Sequence, residues 1–96
     1  MFILLLKFAD NRSLAGQFME GHNKWVKQGL DEGIFLLIGS IQPAKGGCIV
    51  AHNTNHEALQ QRLADDPFVA EGVVNVEIIE VSPSLADERL QFLMTN

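Results

Sequence analysis

The sequence predicts an α+β domain of the ferredoxin-like kind, with an antiparallel four-stranded sheet and two helices on one of its faces. Four short apolar runs alternate with two amphipathic segments in the order βαββαβ. The chain has 96 residues, of which 47% are hydrophobic and 20% are charged, as is usual for one globular domain over residues 1–96. We therefore expect a single domain with a modest core.

The predicted strands are rich in large apolar residues and are separated by turn-forming residues. Proline and glycine in the segment "PAKGG" are typical of a hairpin-like connection between the second and third strands. A short amphipathic segment, "LADERLQFL", lies in the tail and predicts a short C-terminal helix. The strands are expected at residues 2–9, 34–42, 48–51 and 73–81, and the tail at residues 83–96.

Both predicted helices have start and stop signals. Ser13 is expected to cap the first helix, and Gly33 is expected to end it. Thr54, with Glu57 three residues on, forms the pattern of a capping box, so the second helix should begin there. That helix should end before Pro67, because the residue that precedes a proline avoids the helical region.

Both faces of the predicted sheet are apolar. In the first strand Phe2, Leu4, Leu6 and Phe8 should face one side, while Ile3 and Leu5 face the other. Two helices can cover only one face, and an exposed apolar face of this size is an interaction surface. A second copy about a two-fold axis is the simplest cover, so we expect a homodimer. By the same alternation, the second strand should place Ile34, Leu36 and Ile38 opposite Phe35, Leu37 and Ile41.

Charge and cysteine content restrict the partners and the compartment. The net charge is −5, with 12 acidic residues against 7 basic ones, which disfavours nucleic acids and anionic membrane surfaces. The single cysteine, Cys48, excludes an intrachain disulfide, as is usual in a reducing compartment. The opening "MFILLLKF" lacks the pattern of a signal peptide or a membrane span. We expect a cytoplasmic protein.

One ionisable ring lies in the apolar stripe of the first helix. His22 falls on the same side of the helical wheel as Leu14, Phe18 and Trp25. It is either a core histidine bonded to a backbone carbonyl or a general acid or base, because imidazole changes protonation near neutral pH. In the second case Phe18 and Trp25 are candidate walls of a substrate pocket.

A second candidate lies in the segment "DDPF". Asp66 before Pro67 is a good N-cap, and this local role explains it without any function. However, Asp66 also continues the apolar stripe of Leu59 and Leu63, and a carboxylate in an apolar layer needs a partner. His22 is a candidate partner, and such a pair would fix the imidazole tautomer.

The remaining polar residues predict no further site. His52 and His56 are four residues apart, but one should end a strand and the other should open a helix, so we expect no metal site. Cys48 on an apolar strand is typical of a small buried hydrophobe. The glycines match no phosphate-binding spacing.

The histidine of the first helix, the segment "GSIQP" and the segment "DDPFVAEGVV" together resemble the YciI-like (YCII-related) domain family of the dimeric α/β-barrel group. The resemblance implies a ferredoxin-like fold, a homodimer packed sheet to sheet, and a site formed by His22 and Asp66. It also implies cofactor-free elimination or isomerisation of aromatic or lactone substrates. Many members carry an arginine where this chain has Met19, so an anionic substrate group loses that partner.

These observations favour a small cofactor-independent lyase or isomerase that acts on a small, largely apolar ring compound. His22 would move the proton, and Asp66 would orient the His22 ring and stabilise its charged form. One alternative is a non-catalytic module that binds a small molecule or serves as an accessory dimer. Another is a cofactor-free monooxygenase, which the lack of tyrosine and the single tryptophan disfavour.

Overall fold

The computed structural model describes residues 1–94 and confirms the βαββαβ order. A 3₁₀ turn at Arg12–Leu14 leads into the first helix, and another follows the last strand at Glu88–Met94. Residues 95 and 96 of the predicted tail lie outside the described residues. The strands are β1 (Phe2–Phe8), β2 (Phe35–Ile41), β3 (Gly46–Ala51) and β4 (Val74–Glu80), and the helices are α1 (Ala15–Asp31), α2 (His56–Ala64) and α3 (Pro67–Ala70).

The four strands form one antiparallel sheet in the order β2-β3-β1-β4. In β1 the residues Phe2, Leu4 and Leu6 are buried, whereas Ile3 and Leu5 on the other face are only partly buried. The buried face joins Trp25 of α1 and Leu59 and Leu63 of α2 in one core cluster. The core therefore lies between the helices and one face of the sheet, as predicted.

A bulge in β2 changes the expected faces of that strand. Phe35 pairs with Ala51 and Leu37 pairs with Val50, so Leu36 is an extra residue between them. Phe35 and Ile38 consequently both face the helices. Their predicted placement on opposite faces is wrong, because one inserted residue shifts the alternation of every residue after it.

The sheet face away from the helices is largely apolar and is uncovered within residues 1–94, with Lys7, Asn75 and Glu77 at one end of it. The pairing register places Ile3, Val50 and Ile79 side by side on this face, with Leu37 next to Val50. Leu37 is 62% exposed. We call this surface, formed by Ile3, Leu5, Leu37, Cys48, Val50 and Ile79, the open face.

Helices α1 and α2 each begin one residue later than the predicted caps imply. Ser13 lies inside the 3₁₀ turn, and Leu14 at the start of α1 makes no side-chain cap. Helix α2 is capped by Asn55, whose side-chain oxygen accepts a hydrogen bond of 2.8 Å from the backbone N–H of Ala58. The predicted capping roles of Ser13 and Thr54 are therefore wrong. At α2 the neighbouring Asn55 has the extended backbone of a cap, whereas at α1 the 3₁₀ turn runs directly into the helix and the backbone of Leu14 is already helical.

Helix α1 lies close to the sheet and is joined to α2. At Gly29 a Cβ atom would lie 2.2 Å from the ring of Phe35, so only glycine fits between α1 and β2. The indole N–H of Trp25 donates a 2.8 Å hydrogen bond to the carbonyl of Arg62. The Arg62 guanidinium donates to Glu32 at 3.1 Å, and this hydrogen bond holds the pKa of the Glu32 carboxyl below its ordinary value. These contacts fix the position of α1.

The C-terminal segment forms a 3₁₀ helix in place of an ordinary helix. None of its residues is buried, although the ring of Phe92 lies edge-on to His52 at 5.5 Å. Leu85, just before it, is 92% exposed. Across residues 1–94, no helix combines the length and the apolar character that crossing a bilayer demands.

Candidate active site

The structure brings the two candidate residues together. His22 projects from α1 toward the start of α3, and its Nδ1 lies 2.8 Å from Oδ1 of Asp66. The His22 side chain is 17% exposed, and the Asp66 side chain is fully buried. Although 44 residues separate them in the chain, they form one hydrogen-bonded pair.

Asp66 has both roles that the sequence left open. Its Oδ1 accepts a 3.0 Å hydrogen bond from the backbone N–H of Phe68, so Asp66 is the N-cap of α3, and Pro67 occupies the first helical position. The same oxygen is the partner of His22. The other oxygen, Oδ2, is buried and has no hydrogen-bond partner within residues 1–94. Buried groups of this kind call for an explanation, and a functional role is one.

The contact assigns the imidazole proton when Asp66 is ionised. An ionised carboxylate only accepts hydrogen bonds, so Nδ1 of His22 must be the donor to Asp66. The neutral ring then has its lone pair on Nε2. Within the described part of the chain, Nε2 makes no hydrogen bond. His22 therefore presents a free acceptor nitrogen, which is the arrangement of an oriented general base.

Aromatic and close backbone contacts hold the imidazole in place. The ring of Phe68 stacks on His22 with 4.0 Å between centroids and 5° between planes. Next to His22, a Cβ atom at Gly21 would lie 3.1 Å from Cγ of Pro67, so glycine here lets α1 approach α3 closely. Phe68 supplies both the stacking ring and the N–H that binds Asp66, so it holds both members of the pair.

His22 lies in the wall of a cavity of about 210 Å³ between α1, α3 and the sheet. Its lining is mostly apolar, with polar side chains at Asn23 and Ser40. Gly47 pairs with Leu6 and Ser40, so it faces the helices, yet it carries no side chain to fill the space. A Cβ atom there would make only one contact, of 3.6 Å, with a backbone oxygen. The missing side chain of Gly47 thus keeps the cavity open.

Neither Phe18 nor Trp25, the two predicted pocket walls, lines this cavity. Both pack against the core instead. Met19 and Val26, three residues before and four residues after His22, lie on one side of it around the helix, and Phe18 and Trp25 lie on the other side. Packing turns the side of Met19 and Val26 toward the cavity. The residues of α1 that line the cavity besides His22 are Met19, Asn23 and Val26.

Phe68 and Gly47 also line the cavity, and neither was predicted as a site residue. The signal for Phe68 was its place in "DDPF", directly after the proline that starts α3. For Gly47 no local signal existed, because its role depends on which strand residues lie beside it. Among the described residues, no group of three or more His, Cys, Asp or Glu side chains could hold a metal ion.

The sheet order, the helices on one face and the paired histidine and carboxylate in a cavity define an α+β ferredoxin-like domain with a candidate active site. The chain belongs to the YCII-related domain family, whose model matches residues 1–82. The family resemblance read from the sequence is therefore confirmed. No curated protein matches the sequence.

A solved structure with the same fold is 5-chloro-2-hydroxyhydroquinone dehydrochlorinase (TftG) from Burkholderia phenoliruptrix, in complex with 2,5-dihydroxybenzoquinone. It superposes with a TM-score of 0.68 at 10% sequence identity, and the match covers 84% of this chain and 93% of the neighbour. At this identity the likeness shows the fold alone.

Proposed function

We propose that the protein is a small enzyme that needs no cofactor and catalyses proton transfer of the lyase or isomerase kind on a small, largely apolar ring compound. One observation supports this most: Nδ1 of His22 is bound to a buried carboxylate at 2.8 Å while the ring lies in the wall of a cavity. The pair supplies an oriented base at a place that a small molecule can enter.

In the proposed reaction, Nε2 of His22 removes a proton from a carbon of the substrate. The electron pair of the broken C–H bond then forms a double bond. In a lyase reaction this expels a leaving group with its electrons, and in an isomerase reaction the proton returns to another atom. Asp66 stabilises the imidazolium that forms, because its Oδ1 lies 2.8 Å from Nδ1 and accepts the Nδ1–H.

The cavity limits the size of the substrate. Its volume of about 210 Å³ is below the range of roughly 300–1,000 Å³ that is usual for drug-sized ligands. A single ring with a few substituents is therefore the class of compound that fits. The structural neighbour is named for a reaction on a ring compound of this size, and that name supports the choice of substrates to test first.

The test is turnover of hydroxylated single-ring compounds, beginning with 5-chloro-2-hydroxyhydroquinone and measuring chloride release. His22→Gln should lower kcat by a factor of about 100 to 10,000, because it removes the base. His52→Gln is the matched control, since His52 lies outside the cavity, and it should retain full activity. Full activity of His22→Gln on any substrate that the native protein turns over would refute the mechanism.

The same assay separates the alternatives. A binding or accessory module would bind a ring compound without forming product, with Asp66→Asn leaving the affinity unchanged. Apart from His22, no acid or base side chain of the described chain points into the cavity, because the strand register places the Cys48 side chain on the open face. This shortage of second acids or bases favours that alternative. Oxygen consumption during turnover would instead identify a monooxygenase.

We further propose that a second copy covers the open face. Leu37→Glu puts a charge on this face and should produce a monomer, because burying an unpaired charge is costly. Leu85→Glu, an equally charged change at an exposed leucine outside the sheet, should leave the dimer intact. Light scattering at micromolar concentration measures both. A native protein that is a stable monomer there would refute the proposal.

A further inference from the structure

The basic residues divide into two groups by their partners. The chain has 7 lysines and arginines. Within residues 1–94, Arg12 and Lys45 form no ion pair with a carboxylate, whereas each of the others does. Those pairs are Lys7–Glu77, Lys24–Glu20, Lys27–Asp31, Arg62–Glu32 and Arg89–Asp87. On a chain of net charge −5, Arg12 and Lys45 are thus the basic residues of the described chain that have no carboxylate partner, so they are available to bind an anion.

Both unpaired cations line one cavity of about 530 Å³ at the end of the sheet. This second cavity shares Phe8 with the cavity that contains His22. The backbone N–H of Phe8 donates a 3.1 Å hydrogen bond to the carbonyl of Lys45, and the next residue, Gly46, lines the first cavity. The two cavities are thus neighbours on either side of one phenylalanine.

Contact with Phe8 orients the guanidinium of Arg12. Its Cζ lies 4.2 Å from the centroid of the Phe8 ring, at the distance of a cation–π contact. Stacking uses the flat face of the guanidinium and leaves the N–H groups at its edge free, and that edge matches a carboxylate or phosphate with two parallel hydrogen bonds. Lys7 also lines this cavity, but it is paired with Glu77 at 3.7 Å.

We propose that Arg12 and Lys45 form an anion subsite for an oxyanion group, carboxylate or phosphate, on a substrate whose ring lies beside His22. The inference rests on the proposed function and narrows the substrate class to acidic single-ring compounds. It would supply the positive charge that many members of the resembling family carry as an arginine at the position of Met19. The positive charge comes instead from the 3₁₀ turn and the β2–β3 connection.

The test compares two ring compounds that differ by one carboxylate, hydroquinone and 2,5-dihydroxybenzoate, by calorimetry on the full chain. The native protein should bind the acid about tenfold tighter, and the double variant Arg12→Gln, Lys45→Gln should remove that advantage while leaving hydroquinone unchanged. Raising salt from about 0.05 M to about 0.5 M should weaken binding of the acid alone. Comparing phenyl phosphate with phenol tests phosphate in the same way. The oxyanion that gives the larger gain in affinity over its neutral ring is the one that the subsite prefers.

A double variant with the same charge change serves as the control. Lys24→Gln, Lys27→Gln removes two exposed lysines of α1 that do not line the second cavity, and it should keep the preference for the acid. Equal affinity of the native protein for acidic and neutral rings would overturn the subsite, as would an equal loss in the control variant. Failure of every acidic probe to bind at millimolar concentration would also overturn it.

The NMR signals of the His22 ring separate this proposal from the one on which it rests. If hydroquinone shifts those signals but a carboxylate adds no affinity, the subsite is refuted and the proposed function stands. If the preference for acids depends on Arg12 and Lys45 while His22→Gln retains turnover, the subsite is supported and the catalytic role of His22 is refuted.

Discussion

Replacing Asp66 tests its two roles separately. Asp66→Ala removes the acceptor of two hydrogen bonds, from His22 at 2.8 Å and from the Phe68 N–H at 3.0 Å. Asp66→Asn keeps an oxygen that can accept from the Phe68 N–H but removes the negative charge beside the imidazole. The alanine variant should therefore lose stability and activity, whereas the asparagine variant should lose mainly activity.

The size of the effect follows from the contacts. A hydrogen bond to a charged group contributes about 1.5–3 kcal/mol, and Asp66→Ala loses two of them. Part of this loss is offset, since the buried Oδ2 has no partner in residues 1–94 and its removal relieves about 1–3 kcal/mol. We expect a net loss of about 2 kcal/mol for alanine, or about 8–16 °C in Tm, and about 1 kcal/mol for asparagine.

Urea unfolding measures the stability of each variant, and the ¹⁵N signals of the His22 ring report the tautomer without any substrate. The native protein should show the proton on Nδ1. Both variants should lower kcat by a factor of about 100 or more, because neither has a charge to stabilise the imidazolium. Equal stability losses for alanine and asparagine would refute the capping role. A native ring with its neutral proton on Nε2 would refute the assignment of the base.

Three further predictions concern the surroundings of the site. Gly29→Ala should lower the free energy of unfolding by about 1–3 kcal/mol in urea titrations, because the added Cβ atom would overlap the buried ring of Phe35. Gly16→Ala is the control, since a Cβ atom there meets nothing within 4 Å, and it should change the free energy of unfolding by less than about 1 kcal/mol. Gly47→Val should fill the cavity and abolish ring-compound binding in calorimetry while the protein stays folded; unchanged affinity would mean that ligands bind elsewhere. Because the pKa of Glu32 is lowered in the folded state, the Arg62 pair stabilises above the ordinary carboxyl pKa and this contribution fades as the pH falls. Urea titrations at several pH values should show a smaller loss of stability on acidification in Arg62→Gln than in the native protein.

The fold was predictable because its signals are local. The alternation of side chains in β1 identified which residues enter the core, and the order of strands and helices restricted the topology. The bulge at Leu36 was not predictable, since nothing in "IFLLIGS" marks which residue the pairing with β3 leaves out. The cap of α2 was mispredicted for a related reason. Asn55 and Thr54 are both favourable caps by residue type, asparagine somewhat more so, and the backbone turn selected Asn55.

The sequence by itself determined that His22 lies on the buried side of α1 and that Asp66 starts a helical turn, because both follow from residue spacing and capping chemistry. Only the tertiary structure decided that the two meet. Their contact depends on how closely α1 approaches α3, which Gly21 permits and which no local pattern encodes. The rotation of α1 about its own axis is set by packing too, and it turns Met19 and Val26 to the cavity. Neighbours in the chain determine which secondary structure a residue adopts, but the packing of helices and strands against each other determines which side chains meet to form a site.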